Sequence, residues 1–170
     1  MEGYYDSIAS GYDELHEEEQ LKKLALIKKA IDEDKRLADF KNPKRLLDVG
    51  CGSGISTRFF QAKNRTGIDP SKELIKIAKK NDPKGKYIIS DAETMPFNKK
   101  EFDIVISLTA IQSFSNISKA LKKIHESGDR FILTFLKKSL KRKVIENLVE
   151  KEFQIIKKIE EYRDMIYFCY

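Results

Sequence analysis

A short run, Arg45-Leu46-Leu47, leads into Asp48-Val49-Gly50-Cys51-Gly52-Ser53-Gly54, and Ile55, Phe59 and Phe60 follow at helical spacing. No other stretch constrains the chain as much. A hydrophobic strand that turns through three alternating glycines into a helix lets a ligand approach the backbone. A Cβ at those positions would block both the tight turn and the approach. The spacing is Gly50-x-Gly52-x-Gly54, with Asp48 two residues ahead of the first glycine. A dinucleotide fingerprint, G-x-G-x-x-G/A, needs a small residue where this chain has Ile55. The loop alone therefore points to a nucleoside-type ligand without saying which one.

The remaining pattern places that loop in a fold. Leu21, Leu24, Ala25, Ile27 and Ile31 predict an amphipathic helix over 17–31, and Pro43 separates it from a strand at 45–49. A helix is predicted over 54–62, a strand at Thr66–Asp69, and a helix from Ser71 with Leu74, Ile75, Ile77 and Ala78 on one side. Lys86–Ser90, Phe102–Ser107 and Arg130–Leu136 are further strands, and Ile117, Ala120, Leu121 and Ile124 mark the helix between the last two. Near-continuous apolar strands alternating with amphipathic helices imply a parallel sheet covered on both faces, a doubly wound α/β fold. After a helix at 140–150, Phe153–Lys158 and Tyr162–Cys169 are β-rich and separated by Glu160-Glu161, too short for a crossover helix. They must pair antiparallel, as a hairpin at one edge of the sheet.

The chain's 170 residues fit one domain, with residues 1–40 preceding a core over 44–170. Hydrophobic content of 41% with 35% charged residues suits a soluble globular protein. Cys51 and Cys169 have neither metal-ligand nor disulfide spacing, so no metal is expected and Cys51 reads as a small space-filler. The first residues lack a basic-then-apolar leader, and no run approaches the ~20 apolar residues of a membrane span. A cytoplasmic protein with no membrane partner is expected.

The motifs together resemble the class I S-adenosylmethionine-dependent methyltransferases, over nearly the whole chain. The resemblance implies a Rossmann-like sheet of seven strands, mostly parallel with a C-terminal antiparallel hairpin. It implies S-adenosyl-L-methionine as cofactor, met by backbone at Gly50, Cys51, Gly52 and Gly54, with Asp48 holding the loop. Asp69, followed by Pro70, matches the family acid that accepts both ribose hydroxyls, a task that suits a carboxylate's two oxygens. Nicotinamide enzymes carry an acid at a similar distance, so Asp69 alone does not discriminate. Ser90-Asp91-Ala92-Glu93-Thr94-Met95-Pro96-Phe97 does. It is similar to the adenine loop of the branch that includes quinone-biosynthesis methyltransferases, where Asp91 would accept from the adenine amino group and the Ala92 N–H would meet the ring. Glu93 belongs to the same loop. Phe102-Asp103-Ile104-Val105-Ile106-Ser107 resembles the fourth motif, which places Ser107 at the methyl-transfer site.

Tyr4-Tyr5-Asp6-Ser7-Ile8-Ala9-Ser10-Gly11-Tyr12-Asp13 is similar to a segment that closes over the cofactor in small-molecule methyltransferases, making Tyr4, Tyr5 and Tyr12 lid residues and bringing His16 near the acceptor. Beyond the fourth strand, Thr109-Ala110-Ile111-Gln112 departs from the Asn/Asp-Pro-Pro-Tyr pattern that grips planar amino groups; Thr109 and Gln112 are candidates to orient the acceptor, and equally to cap the following helix or face solvent. His125, near a helix end, reads as structural. A small-molecule substrate is favoured. The run Lys137-Lys138-Ser139-Leu140-Lys141-Arg142-Lys143 and the net charge of +6 support the alternative, RNA or a translation protein. With few residues outside the core, a second copy or a small activator subunit would complete the substrate wall. A non-catalytic cofactor-binding scaffold is the remaining reading, and the retained glycines and acids argue against it.

Overall fold

The computed structural model describes the backbone of residues 2–170 and the side chains of residues 17–170. In chain order the elements are α1 (Glu2–Glu33), a 3-10 turn (Lys35–Phe40), β1 (Arg45–Val49), α2 (Ile55–Phe59), β2 (Asn64–Asp69), α3 (Lys72–Asn81), β3 (Lys86–Ile89), β4 (Phe102–Leu108), α4 (Ile117–Ser127), β5 (Gly128–Leu136), α5 (Arg142–Glu152), β6 (Ile155–Glu160) and β7 (Asp164–Cys169). One seven-stranded sheet runs β3-β2-β1-β4-β5-β7-β6. The first five strands are parallel, and β7 pairs antiparallel with both β5 and β6. The hairpin is therefore inserted with its second strand inward, and all six residues of β7 are buried.

Strand alternation divides the core into two faces. Leu47, Val49, Val105, Phe131 and Leu133 pack toward α4 and α5 through Leu121, Ile124, Ile145 and Val149. Leu46, Ile104, Ile106, Ile132 and Phe168 pack on the other side against Leu24, Ile27 and Ile31 of α1 and Phe40 of the 3-10 turn. The helices that cover the sheet start where capping chemistry allows. Ser71 Oγ accepts from the Leu74 N–H at 3.2 Å, and Asn116 Oδ1 from the Lys119 N–H at 3.0 Å. Both sheet edges are protected, one by the four-residue β3 and the other by lysine-bearing β6.

Several boundaries differ from the sequence expectation, and the first helix runs over Glu2–Glu33 rather than 17–31. The helix read as 54–62 stops at Phe59, because Gln61 adopts a left-handed φ of 50° and turns the chain toward β2. The hairpin strands begin two residues later than Phe153 and Tyr162: Phe153 still closes α5 through its N–H to the Val149 carbonyl, and Tyr162 lies in the turn. The 3-10 turn after α1 escaped the periodicity altogether. Among the described residues no helix is long and apolar enough to cross a membrane.

Candidate functional site

The parallel strands all deliver their carboxyl ends to one edge, and a cleft of about 690 Å³ opens there. That is the edge where open α/β sheets hold ligands, and the volume suits a small organic molecule. A second cavity, about 600 Å³, lies between α1, the 3-10 turn and Phe60, where the strands begin.

The glycine loop forms one wall. The N–H groups of Gly50 and Cys51 both donate to the Ile68 carbonyl, at 2.8 and 2.9 Å, which ties the loop to the end of β2. Gly50 has φ +78°, and a Cβ built there would lie 2.4 Å from the Ala110 Cβ. Only glycine permits both that backbone and that approach. Behind the loop Asp48 is fully buried, and its Oδ2 accepts from Ser56 Oγ (2.5 Å) and Thr57 Oγ1 (2.7 Å) at the start of α2. Its Oδ1 has no hydrogen-bond partner. Burial pushes the Asp48 carboxyl up to about 6, against the two hydroxyl donors and with help from Asp69 nearby.

Asp69 sits at the cleft margin, with Oδ2 accepting from the Gly52 N–H and Oδ1 from the Ser71 N–H, each at 2.9 Å. The carboxylate thus fixes the glycine loop on one side and the start of α3 on the other. Ser90 donates its N–H to the Asp69 carbonyl at 3.1 Å, which brings the loop after β3 alongside. Asp91 is exposed on the cleft, and Glu93 lines it too while its Oε1 accepts from the Asn116 N–H at 2.8 Å and fastens the loop to the start of α4.

The opposite wall follows β4. Leu108, Thr109, Ala110, Ser113 and Phe114 line it, and Lys141 stands at its rim with Nζ donating to the Gln112 carbonyl at 3.0 Å. Thr109 has φ +57°, an uncommon conformation for a β-branched residue.

Of the residues expected from sequence, Gly50, Asp69, Pro70, Asp91, Ala92 and Glu93 face the cleft. Asp48, Cys51, Gly52, Gly54 and Ser107 stand behind its surface. Cys51 packs with Ile75, Ala78 and Tyr87, and burial with two nearby carboxylates pushes its thiol well above the ordinary range. Gly54 lets the Tyr87 ring approach the start of α2. Ser107 is corrected from a cleft residue to a tie between strands, its hydroxyl donating to the Val49 carbonyl at 2.9 Å. Gln112 turns its Nε2 back to the Thr109 carbonyl at 2.8 Å, and so does not present its amide to the cleft. His125 meets Glu152 at 2.9 Å and packs against Phe131 and Phe153, far from the cleft edge. The basic run is broken by ion pairs, Lys137 with Glu160 at 2.9 Å and Arg142 with Glu146 at 3.1 Å. The lid calls on Tyr4, Tyr5, Tyr12 and His16 fall on side chains outside the described residues. Sequence reasoning missed Leu74 and Phe114 as cleft residues, and it missed Lys23 and Asp164, which lie behind Thr109.

Comparison with known proteins agrees with this arrangement. Residues 47–127, from β1 through α4, match the family profile described as a methyltransferase domain. A demethylmenaquinone methyltransferase of Thermotoga maritima is 29% identical over 109 residues, 59% of this chain and 48% of that protein. An 18S rRNA (guanine-N(7))-methyltransferase of Schizosaccharomyces pombe is 34% identical over 102 residues, 58% of this chain and 38% of that protein. The chain spans about half the length of the curated relatives it matches. In fold it is similar to magnesium protoporphyrin IX methyltransferase from Synechocystis PCC 6803, solved with bound S-adenosylmethionine, with a TM-score of 0.67 at 18% identity over 88% of this chain and 79% of that one. A parallel sheet closed by a reversed hairpin, and matched along residues 47–127 by the methyltransferase-domain profile, makes this chain similar to known methyltransferases in both sequence and fold.

Proposed function

We propose that this domain is a cytoplasmic enzyme that binds S-adenosyl-L-methionine in the cleft and passes its methyl group to a small-molecule acceptor. The carrying observation is a cleft with bare backbone and carboxylates on one side and a hydroxyl-bearing and apolar wall on the other. The bound cofactor supplies an already electrophilic methyl, so the protein's part is placement. Gly50 gives the methionine portion an approach that a side chain would close. Asp69 accepts the ribose hydroxyls while two backbone donors hold its carboxylate in place. Asp91 and the Ala92 N–H meet the adenine edge. Ala110 and Phe114 exclude water beside the glycine loop, and the acceptor enters past Thr109 and Ser113. Orientation of this kind supplies up to ~7–11 kcal/mol of barrier reduction, and a base is required only for an acceptor that keeps its proton until attack.

A small molecule is favoured over RNA because two cations of the basic run, Lys137 and Arg142, are paired with glutamates, and among the described residues of that run Lys141 lines the cleft. A second copy or a small activator subunit is the proposed source of the outer substrate wall. Calorimetry with S-adenosylhomocysteine tests the pocket, with binding expected and nicotinamide dinucleotides expected not to bind. Incubation of the protein with radiolabelled methyl donor and cell extract tests the acceptor. Label in the small-molecule fraction supports the reading, and label in RNA or protein replaces it.

A further inference from the structure

Behind the acceptor wall lies a polar cluster that the proposed transfer does not itself use. Lys23 of α1 and Asp164 of β7 form an ion pair at 2.9 Å, with side-chain exposures of only 7% and 4%. Asp164 Oδ1 accepts from Thr109 Oγ1 at 3.0 Å, and Lys23 Nζ also donates to that hydroxyl. The Thr109 N–H donates to Thr134 Oγ1 at 2.8 Å, and the two threonine hydroxyls lie 3.2 Å apart. Thr109 is therefore held at its hydroxyl, its N–H and its carbonyl by groups from α1, β7, β5 and the turn carrying Gln112. This is the residue in the left-handed conformation, which a β-branched side chain leaves unless its surroundings fix it. A buried ion pair is weak evidence for stability, since apolar residues of similar volume serve as well or better. What it does supply is direction, because both charged groups end on one hydroxyl. The next residue, Ala110, is the one whose Cβ fills the space against Gly50.

We infer that Lys23 and Asp164 are positioning residues for the cleft: by seating α1 on the sheet they hold Thr109 left-handed and so press Ala110 against the glycine loop. The inference rests on the proposed reading of the cleft as the methyl-transfer site. It makes the first helix part of the site's floor, and it couples the seating of α1 to the cleft in both directions.

Glycine separates this role from simple support, because it adopts the left-handed region without help. Amide hydrogen exchange at residue 109 and Ser113 is compared in the wild type, Lys23→Met, Thr109→Gly and the double variant. Lys23→Met is expected to speed exchange at these amides at least tenfold, and less than twofold once Thr109→Gly is present. S-adenosylhomocysteine affinity is expected to follow the same pattern. Should Lys23→Met fold poorly, Lys23→Met with Asp164→Leu removes both charges; its melting temperature stays near the wild-type value while exchange at residue 109 still rises. Wild-type exchange rates in the charge-free variant, or an equal increase in both backgrounds, overturn the inference. Failure of the wild type to bind S-adenosylhomocysteine overturns the proposed function instead, and the exchange comparison still decides this one.

Discussion

The two walls of the cleft are built by opposite means. On the glycine-loop side, the contacts are backbone N–H groups and carboxylates of two adjacent strand ends, at most 18 residues apart: Gly50 and Cys51 on Ile68, Asp69 on Gly52 and Ser71. On the acceptor side, one strained residue is fixed by side chains 86, 55 and 25 residues away. The first wall is set largely by one strand–loop–helix unit and its neighbour β2. The second depends on how distant elements are seated, and can change while the first is kept.

If the acceptor wall depends on its ion pair, its largest weakness is the loss of one partner. Lys23→Met leaves Asp164 buried and unpaired, and should cost about 3–5 kcal/mol of folding free energy in urea denaturation. A cost below 1 kcal/mol would erase the contrast between the walls. On the loop side the stored tension is at Asp48, whose carboxyl is raised from 3.8 to about 6 by burial. A raised folded value means stability that is full below the ordinary value and lost as pH rises through about 6. The shift corresponds to about 3 kcal/mol. Asp82 and Asp103, held low by Arg65 and Arg45, contribute in the opposite sense at lower pH. Urea titrations between pH 4 and 8 should therefore show a falling component that is missing in Asp48→Asn. A smaller effect falls on binding. Asp69→Ala removes a charged acceptor worth about 1.5–3 kcal/mol per hydrogen bond, so S-adenosylhomocysteine affinity should fall at least ~10-fold in calorimetry. The smallest change is expected at the rim, where Lys141→Ala should alter that affinity less than ~2-fold, since an exposed ammonium gains little in water. A tenfold loss there would assign the cation to the donor rather than the acceptor.

The sheet, its reversed hairpin and the glycine-loop wall were legible because each is written in consecutive residues. Apolar runs give strands, alternating glycines give the loop, and an acid at the end of β2 gives Asp69. Misplacements came from side-chain direction. Ser107 sits inside a motif, yet its hydroxyl turns to the Val49 carbonyl, away from the ligand edge. Glu93 lines the cleft, and its carboxylate also ties that loop to the start of α4, a contact that no local pattern announces. Helix α2 was read too long because Phe60 and Ala62 continue an apolar spacing after the left-handed Gln61 has ended the helix. The Thr109 cluster left no local mark: a threonine, a lysine in an amphipathic helix and an aspartate in a hairpin are each unremarkable until β7 enters the sheet.

The order of strands also governs how the molecule is made. Because β7 is inserted between β5 and β6, residues 45–136 emerge from a ribosome as an unfinished sheet whose β5 edge has no partner. An unpaired strand edge of that kind invites association between nascent chains. The strand that covers it, beginning at Asp164, also brings the anchor for Thr109. Completion of the sheet and anchoring of the Thr109 wall of the cleft thus depend on the arrival of one and the same strand.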